Sequence, residues 1–184
     1  MNKLVKGILT LGLLLGTFSY AATGKTYISK NTVLKASNGK TAKLYIGIAV
    51  TVVKKDAKVS TIAVNGFQNG KKIYFSKGES LVIATLNNGF TVSKEGGNKV
   101  KLTGTVATSL LTTDHDALWA DEQDFYEDTC TQCHAERIVE DHSMKEWEAL
   151  FAPMKIRAQI SPDEASALLR YLKSNAKNGI VRSK

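Results

Sequence analysis

The five residues Cys130-Thr131-Gln132-Cys133-His134 constrain this chain more than any other stretch. Two thiols three positions apart, followed at once by an imidazole, form the attachment signal of a c-type haem. Each thiol can add across one vinyl group of the porphyrin, and the histidine then offers a ring nitrogen to the iron. Cys130 and Cys133 are the only cysteines among 184 residues. The sequence therefore predicts one haem c per chain, with His134 as the proximal iron ligand.

Two other chemistries use closely spaced cysteines. A redox disulfide of the Cys-x-x-Cys type follows a buried strand, whereas residues 121–129 form an acidic amphipathic run. A structural zinc site needs four ligands, with a second Cys/His pair nearby. The remaining histidines, His115 and His142, form no such pair. The local context favours covalent haem over both.

The first residues point the same way. Lys3 and Lys6 precede a short apolar run, 7–18, and Ser19-Tyr20-Ala21 fits a small-x-small cleavage pattern. Residues 1–21 read as a cleavable signal peptide, because the run is far short of the ~20 residues a membrane span needs. No cysteine stands at the cleavage point to carry a lipid. The expected location is the periplasm, where c-type haems are attached.

Charge divides the rest. Residues 23–110 hold 14 lysines and no arginine against three acids, Asp56, Glu79 and Glu95, while residues 111–184 hold 9 basic residues against 14 acids. Such a polarised chain suggests two units of opposite sign. In the basic half, Leu44, Ile46, Ile48, Val50 and Val52 recur with period two, as on one face of a strand. Turn signals follow at Asn65-Gly66, Asn69-Gly70, Ser76-Lys77-Gly78, Asn88-Gly89 and Gly96-Gly97, the punctuation of a small all-β barrel; five or six SH3-like strands are expected. This half has no cysteine or histidine, so no catalytic or metal site is expected in it. Nucleic-acid sites favour arginine forks and interleaved aromatics, so nucleic acid is not expected as a partner. The lysines serve to solubilise strand edges, or alternatively form a docking face for an acidic partner or an anionic membrane surface.

From Thr112 to Asp128 there are seven acids and no Lys or Arg. Part of this run reads as a helix with Trp119 and Tyr126 facing inward at i, i+7; the acids could also steer a positively charged partner. Ser143-Met144-Lys145-Glu146 reads as a capping box, with Met144, Trp147 and Phe151 on the apolar stripe of the helix it opens. Pro153 is expected to stop that helix. Ser161-Pro162-Asp163-Glu164 reads as another helix start, with Ala165, Leu168, Leu169 and Leu172 on its buried face and Asn178-Gly179 at its end. Three or so helices around one haem would bury most of a porphyrin. Met154, in the loop expected after Pro153, is the chosen distal iron ligand, with Met144, His142, His115 and a vacant position as alternatives. A methionine ligand would raise the reduction potential relative to two histidines.

The pattern Tyr126-x-x-x-Cys130-x-x-Cys133-His134, then Trp147, Met154 and Ser161-Pro162-Asp163-Glu164 leading to Tyr171-Leu172, resembles small class I cytochrome c domains. It differs from the larger members in having Glu122 where they have a glycine. The stretches Gly66-Phe67-Gln68-Asn69-Gly70, Ile73-Tyr74-Phe75, Gly78 and Ile83-Ala84-Thr85-Leu86, ahead of one haem motif, resemble the C-terminal part of TorC-type pentahaem cytochromes. That resemblance implies a two-domain fold: a small all-β SH3-like barrel at 22–110, then an all-α cytochrome c domain at 121–178. Residues 111–120 would be an acidic linker and 179–184 a tail. It further implies an electron-transfer protein, not an enzyme, that donates electrons to a periplasmic molybdopterin reductase of the trimethylamine-N-oxide/dimethyl-sulfoxide type. With a signal peptide standing where those proteins carry four further haem motifs, a separate quinol-oxidising or multihaem cytochrome would reduce it. The alternative is a haem enzyme or gas sensor with an open sixth position.

Overall fold

A computed structural model describes residues 24–182; the expected signal peptide, 1–21, lies outside the described residues. Ten strands come first: β1 Thr26–Ile28, β2 Thr32–Lys35, β3 Thr41–Leu44, β4 Ala49–Lys55, β5 Val59–Asn69, β6 Lys72–Tyr74, β7 Val82–Leu86, β8 Ser93–Gly96, β9 Lys99–Ala107 and β10 Leu111–Thr112. Three helices follow: α1 His115–Cys130, α2 Met144–Arg157 and α3 Pro162–Asn175.

The strands run β10-β1-β4-β5-β6-β7-β3-β2-β9-β8, and β5 also pairs with β9. That extra pairing closes a ring through β5, β6, β7, β3, β2 and β9, so six strands form the barrel. The alternating burial of β9, with Val100, Leu102 and Val106 inward, is the period-two pattern of a sheet with one wet face. Asn69-Gly70, Asn88-Gly89 and Gly96-Gly97 all turn the chain, each with a glycine at positive φ. Asn65-Gly66 does not: it lies inside β5. A Cβ on Gly66 would sit 2.8 Å from the Tyr74 carbonyl and 2.9 Å from Ile83 Cδ1, so the glycine there lets strands approach closely.

The periodic run Leu44–Val52 is not one strand. It breaks between β3 and β4 at Gly47, whose φ is +79°. A Cβ at Gly47 would overlap Trp119 Cζ2. The indole of α1 thus presses on the backbone of the barrel, and only glycine permits it.

This contact corrects the expected architecture. The fold is mostly β, a six-strand barrel within a ten-stranded sheet, with three short helices; a separate all-α cytochrome c domain is not indicated. Barrel residues such as Leu34, Leu44 and Ile83 and helix residues such as Trp119, Trp147 and Leu172 belong to one buried cluster. Arg170 of α3 donates from Nε to the Ile46 carbonyl and from Nη1 to the Val82 carbonyl, each at 2.8 Å. Lys25 Nζ donates to the carbonyls of Ile180, at 2.9 Å, and Val181, at 3.0 Å, and Ile180 is buried. The helices are too few and too short to enclose a core alone, so their apolar faces finish on the barrel.

Both capping boxes form: Ser143 with Glu146 opens α2, and Ser161 with Glu164 opens α3. Pro153, however, does not stop α2, which continues to Arg157. The missing N–H leaves the Ala149 carbonyl without its helical partner. Ala149 and Pro153 are both exposed, so water can take that bond.

Candidate functional site

Asp114 caps α1, accepting from the Ala117 N–H at 3.0 Å. Trp119 and Tyr126 are buried two turns apart on its inner face. The helix runs as far as Cys130, and the two residues between the cysteines end it. Thr131 Oγ1 donates to the Glu127 carbonyl at 2.6 Å, and Gln132 Nε2 donates to the Asp128 carbonyl at 3.0 Å. These bonds satisfy carbonyls that a helix terminus otherwise leaves open. Cys130 therefore stays on the last helical turn, half-buried against the core cluster, while Cys133 leaves it and is exposed.

Both cysteines are free thiols. Burial, and then the neighbouring Cys133, push the Cys130 thiol up. His134 is exposed, with Nδ1 2.7 Å from the Ala135 carbonyl. A carbonyl only accepts, so Nδ1 carries the proton and Nε2 of the neutral ring keeps its lone pair. A second bond of this kind fixes the tautomer and orientation of a metal-bound histidine. Every residue of 131–138 is exposed, and Ile138 is 61% exposed, an apolar side chain with nothing over it. Tyr126 Oη donates to the Arg137 carbonyl at 2.7 Å and anchors this segment to α1; burial is the main cause that pushes the Tyr126 phenol up to about 12. Two cysteines not joined in a disulfide, an imidazole with a free Nε2 and an uncovered segment beyond them fit covalent haem attachment. Among the described residues no three His, Cys, Asp or Glu side chains converge to hold a metal ion.

The other candidates are scattered. His115 opens α1, edge-on to the Tyr27 ring at 5.6 Å, with a buried Nε2 that meets no partner. At 1.5 Å per residue it lies about 22 Å along the helix from Cys130, beyond an iron held at His134. His142 packs edge-on against Trp147 at 5.0 Å. Met144 is 2% exposed within the α2 stripe. Met154 is half-buried against the core cluster, but in the third turn of α2 and not in a loop.

Between the end of α2 and the start of α3 lies an apolar cleft of about 500 Å³, lined in part by Phe151, Ile156, Ile160, Pro162, Ala165 and Leu169. None of Cys130, Cys133, His134 or Met154 lines it. Ile156, at 72% exposed, and Ile160 escape a reading by helical periodicity, because the turn that carries them was expected to be past the end of α2.

No family model matches the chain, and no solved structure matches it. It is similar to the cytochrome c-type protein TorY of Escherichia coli O157:H7, with 27% identity over 176 residues, which cover 87% of this chain and 48% of that protein. The chain thus spans about half the length of the curated relative it matches. Among the described residues no helix is long and apolar enough to cross a membrane.

Proposed function

We propose that this chain is a periplasmic monohaem c-type cytochrome that carries single electrons. Its acceptor in this reading is a molybdopterin reductase of the trimethylamine-N-oxide/dimethyl-sulfoxide type, and its donor a separate quinol-oxidising or multihaem cytochrome. The observation that carries the reading is the Cys130/Cys133/His134 arrangement at the end of α1: both thiols free, Nδ1 engaged by a carbonyl and Nε2 available. Similarity to a cytochrome c-type protein supports the same class. The haem, when bound, supplies the one-electron couple.

The chain's own residues would do the rest. Cys130 and Cys133 hold the porphyrin edge by thioether bonds. His134 ligates iron through Nε2 while its Nδ1–H bond to Ala135 keeps the ring oriented. Met154 is the distal ligand in this reading. Its place within α2 favours, as a second reading, a haem protein with an open sixth position that binds a gas or acts as an enzyme.

The test is purification of the mature protein from a host competent for c-type haem attachment. The expected product keeps its colour through denaturation, gains the mass of one haem, and loses both thiols to labelling. Carbon monoxide then separates the two readings, since a sixth position filled by Met154 resists the gas and an open one takes it. A colourless protein with two reactive thiols sinks both.

A further inference from the structure

A second cleft, of about 630 Å³, lies where the barrel meets α3. The barrel contributes Lys30, Lys43, Tyr45 and Ser80 to its walls, and α3 contributes Ser166 and Arg170. The guanidinium of Arg170 lies 5.1 Å from the Tyr45 ring centre, and the Lys43 ammonium 5.0 Å from the same centre. Two cations thus share one aromatic ring. Nε and Nη1 of Arg170 are used by the carbonyls of Ile46 and Val82, but Nη2 is buried and meets no acceptor.

Charges withdrawn from water are ordinarily paired; of the cations here Arg170 is the withdrawn one, while Lys30 and Lys43 stand exposed at the mouth of the cleft. Among the described residues no carboxylate lies within ion-pair distance of Arg170, Lys43 or Lys30. Glu122 and Asp163 line the same cleft, yet neither reaches these cations, and burial pushes the Glu122 carboxyl up. Lys173, the fourth cation of the cleft, is already paired with Glu148. Desolvation pulls the Arg170 guanidinium down to about 10, a sign that its charge lacks compensation.

We propose that this cleft binds one small oxyanion, of carboxylate or phosphate type, through Arg170, Lys43 and Lys30. An oxyanion supplies the acceptor that Arg170 Nη2 lacks and a negative charge beside the buried guanidinium, with the exposed Lys43 of β3 and Lys30 of the β1–β2 connection closing on it from the barrel side. The assignment is independent of the haem reading.

The test uses the full-length mature protein. Inorganic phosphate, sulfate and succinate are titrated by calorimetry at an ionic strength held constant with chloride. One saturable site per chain is expected. A Lys30→Ala/Lys43→Ala double variant, which leaves the core untouched, should bind about tenfold more weakly or worse, as should Arg170→Lys, which keeps a charge but cannot donate to both carbonyls and the anion at once. Tighter phosphate or sulfate binding identifies a tetrahedral anion, and tighter succinate binding a carboxylate. No saturable binding by any of the three probes, or equal affinity in the wild type and the double variant, overturns the proposal. Should Arg170→Lys fail to fold, the lysine variant decides alone.

Discussion

In the barrel, β5 meets β9 over an unbroken register from Val59↔Ala107 to Phe67↔Lys99, and the interior is filled by aliphatic side chains from facing strands. In the helices, a chain of four aromatics runs through the core: Trp119 lies 5.9 Å from Tyr171, Tyr171 6.4 Å from Tyr126, and Tyr126 6.1 Å from Trp147. The barrel pairs its strands with one another and closes on itself. The helices instead finish their packing on Gly47, Ile46 and Val82 of the barrel, and leave 131–138 uncovered at the far end. One region is complete as it stands. The other borrows one wall from the barrel and, in the proposed function, the other from a porphyrin.

The sharpest way to break that comparison is to withhold the second wall. A Cys130→Ser/Cys133→Ser variant is expected to lose covalently held haem completely, measured by haem-dependent peroxidase staining after denaturing electrophoresis. Amide hydrogen exchange should then show α1–α3 opening faster while β5 and β9 keep their protection, since local stability follows buried contact. Uniform loss across strands and helices would mean that the two regions do not differ in this way.

Removing the borrowed wall is the next largest effect. Trp119→Ala should cost about 3–5 kcal/mol in denaturant unfolding. Gly47→Ala should also destabilise, because it places a Cβ at positive φ and against the indole. The clash part of that cost disappears when Trp119 is already alanine, so the double variant should cost less than the sum of the two. Strict additivity would deny that the helix rests on this glycine.

The two methionines of α2 divide stability from ligation. Met144→Ala should lose about 2–5 kcal/mol as a core truncation, with an unchanged haem spectrum. Met154→Ala, half-buried, should lose less stability but gain carbon monoxide binding at the iron. A Met154→Ala protein that resists the gas as the wild type does would remove that side chain from the coordination sphere.

What the sequence disclosed follows the same division. Local signals were readable wherever a few neighbouring residues decide the outcome: both capping boxes, Pro162 in the first turn of α3, and Trp119 and Tyr126 on one helical face. Long-range contacts were not. Leu44–Val52 has the periodicity of a single strand, and only the approach of Trp119, more than 60 residues later, explains why it breaks at Gly47. Asn65-Gly66 has the composition of a turn, but closure of the barrel makes it a strand position. Pro153 argues for a helix end, since proline in a helix interior costs about 3 kcal/mol, yet it and Ala149 fall on an exposed face where water can take the freed carbonyl. The opposite charges of the two halves suggested two bodies, whereas charge reports only the surface, and the apolar faces beneath it are joined.

The smallest effect separates the regions by acid. Ser143→Ala should cost about 1 kcal/mol at neutral pH, the usual value of a lost N-cap. Glu146 completes that capping box: the Ser143 N–H, then its hydroxyl, then Lys177 hold the Glu146 carboxyl down to about 2 from an ordinary 4.5. A carboxyl depressed by folding stabilises the native state above its unfolded value, and that contribution fades as pH falls through the folded one. The stability difference between wild type and Glu146→Gln, which keeps the cap geometry but not the charge, should therefore be constant above pH 4.5, shrink below it, and vanish near pH 2. Glu164, held low by Ser161 in the box of α3, adds to the same trend. The barrel has only three acids between residues 24 and 110, so an acid titration followed by far-ultraviolet circular dichroism should lose helical signal before strand signal. Coincident loss would mean that the common core couples the two regions so tightly that neither can open alone.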